Sequence, residues 1–151
     1  MTQTDPQRVA PTEGPIGRRN VVWGWATMVL GALSGSILMA WSFDGPFPAP
    51  SGFTDYAELP RRLTRLAHVA LFALPLINVV FGKDIDQADL PEAWKQAASW
   101  LAIVGMIGIP FGLLCGALIH VQLKYVSALP VFALMTALAI LAGGKVRQHR
   151  R

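Results

Sequence analysis

Hydrophobic residues fall in four long blocks along this chain, and polar residues are collected in the segments between them. A helix of about 20 apolar residues is long enough to cross a hydrocarbon core of roughly 30 Å. The second block is the shortest, since its uncharged part has 17 residues from Leu66 to Gly82. Arg65 can extend it by reaching toward the interface. The pattern therefore predicts four membrane-spanning helices, at about residues 21–42, 63–82, 97–121 and 125–143.

The polar segments define the remaining parts of the predicted fold. Three alternating prolines exclude a regular helix and place an outer loop at residues 43–59. Asp89 and Glu92 resemble a capping box, which predicts that the third helix begins near residue 90. The sequence thus predicts an all-α fold, an integral membrane four-helix bundle at residues 21–143, with a disordered tail at 1–20 and a basic tail at 144–151.

Lysine and arginine are distributed unequally between the two sides of this topology. The two tails and the connection after the second span carry nine of them, and the other two connections carry four. Because cytoplasmic loops are enriched in these residues, we expect both termini on the cytoplasmic side of a bacterial inner membrane. Only 15% of the chain is charged, and the basic residues flank the spans, which favours membrane orientation and contact with lipid over nucleic-acid binding.

Motifs of soluble enzymes are missing from the sequence. There is no phosphate-binding glycine loop after a strand, no HExxH, and a single cysteine, Cys115. Any chemistry must therefore reside in the helices and their edges. The small size and few polar residues predict a non-catalytic subunit of a larger membrane complex, with other subunits as partners.

The most distinctive feature is a glycine track in the third span that ends in a histidine. Gly108, Gly112 and Gly116 are four residues apart, and His120 follows after four more. Each step of four turns a helix by about 400°, so these positions drift only about 40° and share a face. His68 lies on the second span about 4.5 Å deeper than Arg65, and His120 about 6 Å deeper than Lys124, at a rise of about 1.5 Å per residue. The two histidines are therefore expected at nearly equal depth.

These positions together predict a b-type haem near the outer face, between the second and third helices. His68 and His120 would be the axial ligands, because histidine is a common haem ligand and ionisable residues within spans are candidates for function. Gly112 and Gly116 would form a smooth wall opposite Phe72. The haem carboxylates would pair with basic side chains at the interface, and a quinol is a possible electron partner. The basic side chains are Arg61, Arg65 and Lys124.

Two other interpretations use the same residues. In a cofactor-free scaffold subunit, the glycine tracks serve only helix packing and the histidines only hydrogen bonding. In a copper-handling membrane protein, His68 and His120 bind the metal, with Met39 as a weaker candidate ligand, because thioether sulfur suits copper(I). The sequence leaves both alternatives open beside the haem site.

Overall fold

The computed structural model describes residues 14–41 and 45–150, and it is all-helical in its regular structure. Four α-helices follow one another, and a 3-10 helix at Val121–Ser127 joins the last two. All four are long and apolar enough to cross a membrane, which confirms the predicted helical class and the number of long apolar helices. The helices are α1 (Gly17–Trp41), α2 (Leu59–Ile85), α3 (Glu92–Leu118) and α4 (Ala128–His149).

Each helix packs mainly against its neighbours in sequence, so α2 and α3 occupy the middle of the bundle. The first residue of α1 meets the end of α2, where the backbone N–H of Gly17 donates to the carboxylate of Asp86 at 3.1 Å. The end of α4 meets the same region, where Lys145 pairs with Asp84 at 2.9 Å. The beginning of α1 and the end of α4 therefore lie at one end of the bundle, here called the termini end. The other is the opposite end.

Several helix boundaries differ from those predicted. α1 begins at Gly17, inside the predicted tail, because Asp86 accepts its first N–H. α3 begins at Glu92, with Pro91 at the N-cap position and no side-chain cap. It ends at Leu118, before the predicted residue 121, and α4 continues to His149 through most of the predicted basic tail. Residues 1–13 of the predicted tail, and 42–44 at the start of the outer loop, lie outside the described residues.

A buried polar cluster joins three helices near the termini end. The amide of Asn20 on α1 donates to the side-chain oxygen of Asn78 on α2 at 2.7 Å and to the carbonyl of Ser99 on α3 at 3.1 Å. The hydroxyl of Ser99 donates back to Asn20, and the amide of Asn78 also donates to the sulfur of Met106. All four side chains are fully buried. These cross-helix hydrogen bonds fix the register of α1 on α2 and α3.

The loop between α1 and α2 is packed onto the bundle at the opposite end. Phe53 is buried and meets the Trp41 ring edge to face, with 6.0 Å between ring centroids. Pro60 lies in the first turn of α2, where its missing N–H costs nothing. The loop therefore fixes the beginning of α2 next to the end of α1, which is where the candidate site lies.

Candidate functional site

His68 lies at the interface of α1 and α2 and is held there by a serine. The Nδ1 atom of His68 is 3.0 Å from the hydroxyl oxygen of Ser34 on α1. The single proton of that hydroxyl is donated to the carbonyl of Gly31 at 2.8 Å. With that proton on the carbonyl of Gly31, Ser34 accepts from Nδ1–H, since a hydroxyl has one donor hydrogen and two acceptor lone pairs. This arrangement corresponds to the tautomer whose lone pair is on Nε2.

A glycine and a phenylalanine fix the plane of the imidazole. The ring lies over Gly35, where an added Cβ would be 2.7 Å from Cε1 of His68. Phe72 meets the ring at an interplanar angle of 84°, with centroids 5.4 Å apart. Phe72, which was predicted to lie opposite the wall of Gly112 and Gly116, therefore contacts the imidazole of His68. Because α1 and α2 are in close contact here, a planar macrocycle has no space between Gly35 and His68.

A pocket of about 340 Å³ opens beside His68 toward the opposite end. Three other residues predicted from the sequence line it together with His68: Met39, Arg61 and Arg65. Met39 projects from α1 with 71% of its surface exposed, so its sulfur is accessible. The pocket thus brings together an imidazole, a thioether and two guanidinium groups, while Leu38 and Gly35 provide apolar walls.

Tyr56 from the loop arranges the two arginines at the mouth of this pocket. The guanidinium carbon of Arg65 lies 3.9 Å from the centroid of the Tyr56 ring, and that of Arg61 lies 5.4 Å from it. Arg61 also donates to the backbone oxygens of Phe53 and Thr54. Stacking on an aromatic face restricts both side chains, and guanidinium groups suit anions such as carboxylates. The mouth is therefore cationic and preorganised.

The remaining predicted residues lie elsewhere, around the connection of α3 to α4. An added Cβ at Gly112 would be 2.9 Å from the backbone nitrogen of Ser127. An added Cβ at Gly116 would be 2.9 Å from the backbone nitrogen of Lys124. The glycine wall is thus covered by the 3-10 helix and not by Phe72. The sequence argument assumed that the face shared with His120 turns toward α2, but the short connection folds back onto it.

His120 itself is outside α3. Its backbone is extended, it caps the 3-10 helix, and its Nδ1 accepts from the backbone N–H of Gln122 at 3.4 Å. The side chain of Lys124 lies over the ring of Tyr125, at 5.1 Å. The pocket that His68 lines does not include His120. The two histidines predicted as axial ligands therefore do not share this pocket.

Ser34 and Tyr56 belong to the candidate site and were not predicted from the sequence. Ser34 directly precedes Gly35, and a hydroxyl in a span opposite a histidine on the next helix is the signal that indicates it. Tyr56 gave no signal, because its contacts depend on how the loop folds over α2.

The donor set allows a test of what this site can hold. Among the described residues, no three His, Cys, Asp or Glu side chains come together as a metal site. Nε2 of His68 and the sulfur of Met39 instead provide one nitrogen and one soft sulfur donor at the same pocket. The chain matches no known family model, no curated protein and no solved structure. Its four long apolar helices indicate a membrane protein.

Proposed function

We propose that the protein is a small membrane subunit of an electron-transfer complex, with a b-type haem bound at the pocket beside His68. The observation that carries this proposal is the hydrogen bond from Nδ1 of His68 to Ser34, which leaves Nε2 available at a pocket shared with Met39, Arg61 and Arg65. Histidines that bind metals usually donate their second nitrogen in this way, which fixes the ring and raises its basicity.

The proposal assigns different roles to the predicted residues. His68 would bind the haem through Nε2. Met39, in place of His120, would be the second ligand, since histidine with methionine is an established haem ligand pair that raises the reduction potential. Arg61 and Arg65 would bind the carboxylates of the haem at the mouth. Gly112, Gly116 and Lys124 then act in packing α3 against the connection that follows it.

Close packing of α1 on α2 sets where the ring can lie. Gly35 and His68 are in contact, so the residues that would hold a haem are those on the open side of the pocket, Met39, Arg61 and Arg65. A bound haem would supply one-electron transfer. The chain itself orients the imidazole, holds the carboxylates and shields one ring edge. Quinol remains the proposed electron partner, because it reaches this end of the bundle through the lipid.

Copper(I) is the second candidate, and the same nitrogen and sulfur donors favour it. Thioether and imidazole ligands suit this ion, and Met39 and His68 line one pocket. A cofactor-free scaffold subunit is the third. It is supported by the use of the glycines for packing within the chain.

An absorption spectrum of the purified, reduced protein, with metal analysis of the same sample, tests the proposal. We expect the bands of a low-spin haem, their loss in His68→Ala, and a shift to high spin in Met39→Ala. His120→Ala is the matched control and should keep the spectrum. Stoichiometric copper without haem bands would favour the copper site. Absence of both after expression with sufficient haem and copper would favour the scaffold.

The proposed location is a bacterial inner membrane with both termini in the cytoplasm. The unequal distribution of lysine and arginine supports it, as does the position of Arg18, Lys83 and Arg147 at the termini end. A fusion of a fluorescent protein to the C-terminus should fluoresce, since it folds in the cytoplasm, and a periplasmic alkaline phosphatase at the same position should be inactive. The reverse result would overturn this orientation.

A further inference from the structure

A second candidate site lies on the face where α1 approaches α3, at the termini end. It has two parts. A recess of about 540 Å³ is lined by Arg18, Arg19 and Gln96 and ends at Trp23. An apolar groove of about 410 Å³ begins at the same Trp23 and continues along α1 and α3 to Ser34 and Phe111. Trp23 lines both parts, so they adjoin each other at this side chain.

The recess is cationic, and one of its charges is held in place. Arg19 donates from Nε to the hydroxyl of Ser99 at 2.7 Å and from its terminal nitrogen to the carbonyl of Gln96 at 2.9 Å. Its guanidinium carbon lies 4.6 Å from the centroid of the Trp100 ring. Arg18 beside it is exposed. Two adjacent guanidinium groups, one preorganised, form a site suited to a phosphate group.

No carboxylate is among the described residues that line this recess. Asp86 and Glu92 line a separate recess that shares only residues 14–16 with it.

The groove is suited to an apolar occupant. Its polar side chains are already satisfied, since the hydroxyl of Thr27 donates to the carbonyl of Trp23 at 2.8 Å and that of Ser34 bonds Gly31 and His68. Ile107, Phe111 and Leu71 provide the remaining surface. A polar ligand would lose hydrogen bonds to water here without replacement, which is costly.

The length of the groove matches one leaflet of a bilayer. Trp23 and Ser34 mark its two ends along α1, and at a rise of about 1.5 Å per residue they are about 16 Å apart. Half of a hydrocarbon core of roughly 30 Å is about 15 Å. An acyl chain that starts at the interface beside Trp23 therefore ends where the groove ends.

We propose that this surface binds one anionic phospholipid, with its phosphate at Arg18 and Arg19 and one acyl chain in the groove. The site shares no lining residue with the His68 pocket, although Ser34 at its inner end bonds His68, and it does not depend on the proposed haem. Basic pockets between transmembrane helices bind anionic headgroups in this manner. Bound lipid covers the open side of α1 against α3, where the two helices have little direct contact.

Native mass spectrometry of the purified chain during lipid titration tests the site. Phosphatidylglycerol and phosphatidylcholine with identical chains are compared. We expect one phosphatidylglycerol bound at least tenfold more tightly than phosphatidylcholine, and a loss of about fivefold in affinity in Arg18→Gln. Arg19→Gln should give a similar loss, but it also removes the bond to Ser99, so Arg18→Gln is the decisive variant. Lys83→Gln and Arg150→Gln, at the same end but outside the recess, should bind as the wild type.

A second pair of variants tests the groove. Ala26 lines it and Ala32 is exposed on α1 away from it. Ala26→Phe should weaken phosphatidylglycerol binding at least fivefold, and Ala32→Phe should leave it unchanged. Equal binding of both lipids, or no effect of Arg18→Gln, would overturn the site. Full displacement of phosphatidylglycerol by inorganic phosphate would mean a site for the headgroup anion alone, and would overturn the acyl-chain part.

Discussion

His68 rests directly on Gly35, and a side chain at position 35 would meet the imidazole at 2.7 Å from Cε1. Ser34 holds Nδ1 of the same ring at 3.0 Å. The absence of a Cβ at position 35 is therefore what allows the imidazole to lie against α1 beside the pocket. A substitution of Gly35 should therefore affect the His68 site more strongly than the stability of the fold.

Gly35→Ala should displace the His68 ring and weaken cofactor binding. The methyl group contacts the end of a side chain, which can move, so the free energy of unfolding should fall by only about 1–3 kcal/mol. The measurements are haem absorbance per protein and thermal unfolding in detergent. Gly143→Ala is the control, because no atom lies within 4 Å of its added Cβ. Full absorbance in Gly35→Ala would contradict a ligand role for His68.

Ser34→Ala should change the electronic properties of the site while the ligand stays in place. The variant removes the acceptor for Nδ1–H, which lowers the basicity of Nε2. We therefore expect a higher midpoint potential of the bound haem and weaker binding, measured by a redox titration followed by absorbance. Ser36→Ala is a matched control, because the Ser36 hydroxyl bonds only the carbonyl of Ala32 in its own helix. Identical potentials in the two variants would contradict a positioning role for Ser34.

Gly112→Ala and Gly116→Ala should destabilise the fold more than Gly35→Ala does. The added methyl groups meet backbone nitrogens of Ser127 and Lys124 at 2.9 Å, and backbone cannot turn away as a side chain can. A loss of about 3 kcal/mol is expected for each, near the upper end for overpacking, measured by thermal unfolding. Gly143→Ala should again have no effect. Stability equal to wild type in Gly116→Ala would mean that the connection to α4 can move away from α3.

The four helices could be predicted because the long apolar stretches that form them are visible in the sequence itself. Apolar stretches of this length are long enough to span a bilayer whatever they pack against. Boundaries were less accessible. α1 begins early because a carboxylate far along the chain, Asp86, accepts the N–H of Gly17, and no local pattern indicates such a contact.

Only part of the candidate site could be predicted, because the sequence does not show how each helix is rotated about its own axis in the bundle. His68, Arg61 and Arg65 lie on one helix, so their spacing alone placed them on one face. Joining them to His120 required knowing which way α3 turns. That is set by the 3-10 helix, which covers Gly112 and Gly116. Met39 was the weakest predicted ligand, and its place in the pocket depends on the contact of α1 with α2.

The hydrogen bond between Asn20 and Asn78 should stabilise the bundle independently of any ligand. Asn78→Ala removes the acceptor at 2.7 Å and leaves a buried amide of Asn20 with only the Ser99 carbonyl. The unfolding free energy should fall by about 1–3 kcal/mol. A double-mutant cycle with Asn20→Ala should give a coupling of about 1 kcal/mol, within the range for polar pairs between membrane helices. The cycle is measured by unfolding in mixed micelles, and a coupling of zero would mean that the two amides are solvated separately. Haem absorbance in Asn78→Ala should equal that of the wild type, because the cluster lies at the termini end and the His68 pocket at the opposite end.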